Sequence, residues 1–141
     1  MVLKHFPKAR FILLKREPLD SIRSLVQVKQ RMSGLVGLQP LPSEITQVEE
    51  TVTAHRELIQ AFEASRHLIP KGQLVEVAFS DLVRQPFQEV QKIYETFGLR
   101  SWTTAQAPIR QRIEQSSTYR ADPVALEPLA EQRLRELLGL G

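Results

Sequence analysis

Two residues suited to holding an anion stand eight positions apart near the start of the chain, Arg16 and Ser24. Arg16 closely follows a short apolar run, Phe11-Ile12-Leu13-Leu14, which is bounded by Pro7 behind and Pro18 ahead. A continuous apolar run of this length reads as a parallel strand buried on both faces. Arg16 then stands at a carboxyl end, the side on which open α/β sheets bind ligands. The helix predicted to follow offers free N–H groups and the positive end of its dipole to an anion there. Ser24 falls about two turns into that helix. An arginine fork and a serine hydroxyl could converge on one phosphate. On spacing alone a surface arginine and a solvated helix serine are the more ordinary reading, because short patterns match freely.

Other reactive side chains form no constellation. His5, His55 and His67 are scattered, and His55 lies on an apolar stripe between Val52 and Ile59, where a core or boundary histidine is expected rather than a base. No histidine–carboxylate spacing suits a metal, so none is expected. Cysteine is absent, which excludes disulfides, thiolate metal sites and cysteine nucleophiles and fits a reducing, cytoplasmic setting. Ser116-Ser117-Thr118-Tyr119-Arg120 reads as a polar loop that could also close over a ligand, and Arg110 and Arg112 are equally open. Trp102 reads as core rather than as a stacking platform. No residue is assigned as catalytic base.

The elements that must position Arg16 and Ser24 can be read in order. A helix over Leu19 to Met32 carries Ile22, Leu25 and Val26 on one side and stops at Ser33-Gly34. After a loop to Pro42, Ser43 caps a long amphipathic helix with Ile45, Val48, Val52, Ile59 and Phe62 on its stripe, running to about Leu68. Pro70-Lys71-Gly72 turns the chain into a second buried strand, Leu74 to Phe79. Beyond Pro86, Phe87, Val90, Ile93, Tyr94 and Phe97 mark a helix capped by Gly98. Ser101 to Ser117 reads as irregular because of Trp102 and Pro108, and a last helix runs from Pro123 to Gly139. Two strands among several helices indicate an α/β layered fold with a short parallel sheet.

The stretch FPKARFILLKREPLDSIRSL resembles the 3′-phosphate-binding segment of sulfotransferases that use 3′-phosphoadenosine 5′-phosphosulfate (PAPS). In that family a P-x-A-x-F-I strand runs into R-(N/D)-P-x-D, with a serine eight residues beyond the arginine. The matching residues are Pro7, Ala9, Phe11 and Ile12, then Arg16, Pro18, Asp20 and Ser24. Val77-Ala78-Phe79-Ser80-Asp81-Leu82-Val83-Arg84-Gln85-Pro86 is similar to the family's Y-E-D-L-V-x-x-P element. Ile93 to Leu99 resembles the helix end that follows it. The resemblance covers roughly residues 5 to 99 and is closest to the bacterial-type members. Glu17 stands where Asn or Asp is usual, and Ser80 where Glu is common.

The resemblance implies a partial P-loop-NTPase-like sulfotransferase fold. The 141 residues would form a single domain, the C-terminal portion of a larger family domain. It further implies that Arg16 and Ser24 bind the 3′-phosphate of PAPS, the co-substrate that donates a sulfuryl group to a hydroxyl or amine acceptor. The family's phosphosulfate loop should precede this segment by many tens of residues. No G-x-x-x-x-G-K-(S/T)-like string occurs in the chain. The 141 residues alone are therefore expected to be inactive, with turnover restored by upstream sequence.

Composition limits the remaining classes. Nineteen Lys+Arg against sixteen Asp+Glu give a net charge of +3, too small a bias to indicate nucleic acid or a membrane surface but compatible with a small anionic ligand. The apolar runs are too short to span a bilayer. Two other readings stand beside the enzyme: an inactive sulfotransferase-like remnant or interaction module, and another nucleotide-binding α/β protein. The acceptor and the oligomeric state are not encoded in any motif.

Overall fold

The computed structural model describes residues 2–37, 40–116 and 124–141, without the side chains of 34–36. In chain order the elements are helix α1 (Val2–His5), strand β1 (Phe11–Lys15), helices α2 (Pro18–Val36) and α3 (Glu44–Ser65), a 3₁₀ turn (Arg66–Leu68), strand β2 (Leu74–Ala78), and helices α4 (Phe79–Arg84), α5 (Pro86–Thr96), α6 (Trp102–Ser116) and α7 (Pro128–Leu138). They form two compact units, Met1–Arg16 with Ser65–Ala121, and Glu17–Ala64 with Asp122–Gly141. The α/β class and the short parallel sheet are as the sequence indicates. Among the described residues no helix is long and apolar enough to cross a membrane.

In the first unit β1 and β2 pair in parallel, from Phe11 opposite Leu74 to Lys15 opposite Ala78. The expected burial on both faces does not hold for β1: Ile12 is 54% exposed and Leu14 47%. Alternation places Ile12 and Leu14 on the same face as Val75 and Val77. Helices α4 and α5 pack against β2, where Val77 is buried, and leave Ile12 and Leu14 of β1 open, while Phe11 and Leu13 are half-buried. A two-stranded sheet also gives each strand a single neighbour. On the other face Glu76 accepts both Lys15 and Arg66.

Pro86 starts α5, where its missing N–H costs nothing, and Gly98 closes it at φ 60°, as expected of a left-handed cap. The expected irregular stretch after Ser101 is instead helix α6, with Pro108 inside it. An interior proline costs roughly 3 kcal/mol through its lost hydrogen bond and ring clash. Packing offsets it: the Trp102 ring lies 5.2 Å from both Phe87 and Tyr94, and the Arg110 guanidinium sits 3.7 Å over Phe87. Trp102 is thus a packing residue, as its sequence reading favoured.

The second unit is three helices, α2, α3 and α7, around Ile22, Val26, Val48, Val52, Ala130 and Leu134. Ser43 caps α3, its Oγ accepting the Thr46 N–H at 3.2 Å. Only the first half of α3 carries core side chains; Ile59 is exposed and His55 half-buried. The helix ends at Ser65, and the 3₁₀ turn covers the remaining residues to Leu68. Between α2 and α3, Lys29 Nζ donates to Thr51 Oγ1 at 2.8 Å, and Thr51 donates to the Gln47 carbonyl at 2.6 Å.

Two helix boundaries differ from the pattern. Helix α2 passes through Ser33-Gly34, because one interior glycine costs only about 1 kcal/mol. It ends at Gly37, whose N–H bonds the Ser33 carbonyl at 2.9 Å; a Cβ there would stand 2.5 Å from that same oxygen. Helix α7 begins at Pro128 rather than just after Pro123, which lies outside the described residues, and Gly139 ends it at φ 71° as expected.

Candidate functional site

The site is built from the ends of the two strands. Parallel pairing of Lys15 with Ala78 means that the next residues along, Arg16 and Phe79, both stand at the carboxyl end of the sheet. That is where the sequence places Arg16. Its guanidinium carbon lies 4.9 Å from the centroid of the Phe79 ring, a cation–π contact. Arg16 is exposed, and among the described residues of its unit no carboxylate pairs with it. The neighbouring Lys15 is different, since Glu76 engages its ammonium group. Of two adjacent cations, Lys15 is therefore ion-paired, sharing Glu76 with Arg66, and Arg16 is not paired with a carboxylate among the described residues of its unit.

Ser24 belongs to the second unit, half-buried within α2 between the core residue Ile22 and the exposed Leu25. Within that unit no described hydrogen bond uses its hydroxyl. Helix α2 begins at Pro18, with Glu17 at the N-cap position and no side chain capping the first turn. The Ser21 N–H bonds the Glu17 carbonyl at 3.0 Å, and no capping side chain bonds the first-turn N–H groups.

The same helix makes a bidentate polar contact to α7. Arg23 Nε donates to Glu131 Oε2 at 2.8 Å, and a second guanidinium nitrogen engages Glu131 Oε1. That hydrogen-bonded pairing raises the Arg23 pKa and holds the Glu131 carboxyl below its ordinary range, against the opposing effect of burial.

Other sequence candidates resolve in part. Arg110 covers Phe87 and so serves the α5–α6 packing. Arg112 is exposed on α6. Of the hydroxyl-rich stretch, Ser116 ends α6 by bonding the Arg112 carbonyl at 2.9 Å, while Ser117 to Arg120 lie outside the described residues. No group of three or more His, Asp and Glu among the described residues could hold a metal ion. Sequence reasoning missed Phe79 as the partner of Arg16. A signal was present, because Arg16 follows the first predicted strand and Phe79 is the last residue of the second, but only the register shows that they are neighbours.

Comparison with known proteins bears on this arrangement. The model of the sulfotransferase family matches residues 1–104. Two curated relatives, both named omega-hydroxy-beta-dihydromenaquinone-9 sulfotransferase Stf3, come from Mycobacterium bovis and Mycobacterium tuberculosis. Each is 23% identical over 133 residues, which is 94% of this chain and 34% of the relative. The chain thus spans about a third of the length of these relatives. No solved structure matches significantly. With the family model covering most of its length, including both strand ends and the Arg16–Ser24 segment, the chain belongs to the sulfotransferase family.

Proposed function

We propose that this chain carries the 3′-phosphate-binding part of a PAPS-dependent sulfotransferase, with Arg16 and Ser24 as phosphate ligands. The 141 residues would form one sulfotransferase-like domain portion, within which no residue is assigned to the chemical step. One observation carries the reading: Arg16 stands at the carboxyl end of a parallel strand with its charge unpaired in its unit. A dianionic phosphate is matched by a fixed guanidinium fork together with hydroxyl and helix N–H donors. The donor would then be held at its nucleotide end, and sulfuryl transfer to the acceptor would need a second cradle for the 5′-phosphosulfate. The acceptor would be a hydroxyl or an amine; the relatives' printed name, with its omega-hydroxy compound, favours a hydroxyl.

The test is calorimetry with 3′-phosphoadenosine 5′-phosphate (PAP). The wild-type chain is expected to bind weakly, and Arg16→Ala to weaken binding further. Losing one charge-assisted contact costs about 1.5–3 kcal/mol, or roughly 10- to 150-fold in Kd. Equal affinity for wild type and variant, or no binding by the wild type at millimolar PAP, rejects the assignment.

A further inference from the structure

We infer that Phe79 is a positioning residue for the anion site, holding the Arg16 guanidinium at the carboxyl end of the sheet before a phosphate arrives. The inference rests on the reading of Arg16 as a phosphate ligand and adds to it a residue that acts through Arg16. Three observations support it. First, the register makes Arg16 and Phe79 the first residues past two paired strand ends, so the backbone itself sets them side by side. Second, the guanidinium carbon lies 4.9 Å from the ring centroid, inside the range of about 6 Å over which the ring quadrupole attracts a cation. Third, Arg16 has no carboxylate partner among the described residues of its unit, so the ring is its principal anchor there, whereas Lys15 beside it is tied to Glu76.

The choice of an aromatic anchor has a chemical consequence. A carboxylate would consume guanidinium donors and cancel the charge that recognises phosphate. The ring attracts the cation without accepting a conventional hydrogen bond, so all five N–H donors and the full charge remain for the ligand. Phe79 is half-buried at the start of α4 and is therefore itself held by its element. An exposed arginine samples many rotamers, and restricting it beforehand lowers the ordering cost of binding.

The experiment is a double-mutant cycle read by PAP titration calorimetry, on wild type, Phe79→Leu, Arg16→Ala and the double variant. Thermal unfolding is recorded for each. Phe79→Leu is expected to raise Kd about 2- to 5-fold, the worth of a cation–π contact at an exposed site. The same change in the Arg16→Ala background should have no further effect. Phe79→Tyr, which keeps an aromatic face, should bind within 2-fold of wild type, as expected if that face is the anchor. If Phe79→Leu does not fold, Phe79→Met supplies an apolar side chain without the ring. An equal loss with and without Arg16 would show that Phe79 merely supports the fold, and the inference would be wrong. If Arg16→Ala weakens PAP binding while neither Phe79→Leu nor Phe79→Met does, the inference fails alone. If Arg16→Ala has no effect, the phosphate-site reading fails, and the role of Phe79 with it.

Discussion

The Arg23–Glu131 pair should stabilise the three-helix unit at neutral pH and lose that role in acid. The two side chains are 24% and 26% exposed, and the pairing is bidentate, with one bond at 2.8 Å. A fully exposed pair is worth about 0.2–1 kcal/mol, and a well-formed hydrogen bond to a charged group about 1.5–3 kcal/mol. Solvent reaches a quarter of each side chain, so screening keeps the value near the lower range, at about 1 kcal/mol. Asp20 lies 3.6 Å from Arg23, and Arg135 lies 3.8 Å from Glu131, so neither charge is wholly abandoned when its partner is removed. A double-mutant cycle of Arg23→Met and Glu131→Gln, measured by urea denaturation with far-UV circular dichroism, isolates the pair.

The pH dependence has a definite direction. The Arg23 hydrogen bond lowers the Glu131 pKa in the folded state, so the folded protein binds this proton less readily than the unfolded chain. The stabilisation is present above the ordinary glutamate range and disappears as pH falls through the lowered folded value. The coupling energy should therefore be about 1 kcal/mol at neutral pH and fall away as pH drops through the lowered folded value of Glu131. A coupling that is absent at neutral pH, or unchanged in acid, would refute the reasoning.

Two further outcomes follow from the fold and the site. Leu134→Ala, which empties a fully buried position among Ile22, Val26, Val48 and Val52, should cost about 2–5 kcal/mol in denaturant unfolding. A loss under 1 kcal/mol would mean that the core collapses around the cavity. The 141 residues by themselves should give no turnover with labelled PAPS and a broad acceptor panel, because they hold no phosphosulfate loop motif. Measured turnover would show that such a loop is dispensable.

Local pattern was enough for much of this protein. The apolar run Phe11 to Leu14 between prolines reads as a strand, Ser43 as a cap, Pro86 as a helix start, and Gly98 and Gly139 as helix ends. Each depends on a neighbour-range effect: missing N–H groups, a side-chain oxygen one turn away, or a glycine's access to positive φ. The order of Arg16, Pro18, Asp20 and Ser24 likewise resembles the family's 3′-phosphate-binding segment without reference to the fold. Tertiary structure decided what these effects cannot reach. Periodicity cannot say whether a neighbouring element covers a face, so Ile12 and Leu14 read as buried and are open. The Trp102 ring, docked on Phe87 and Tyr94, holds α6 through Pro108 against its propensity. Phe79 meets Arg16 only because the strands pair in one register, which brings together residues sixty-three positions apart. Chain spacing records the strand ends; the distance between them is set by the backbone hydrogen bonds that join the strands.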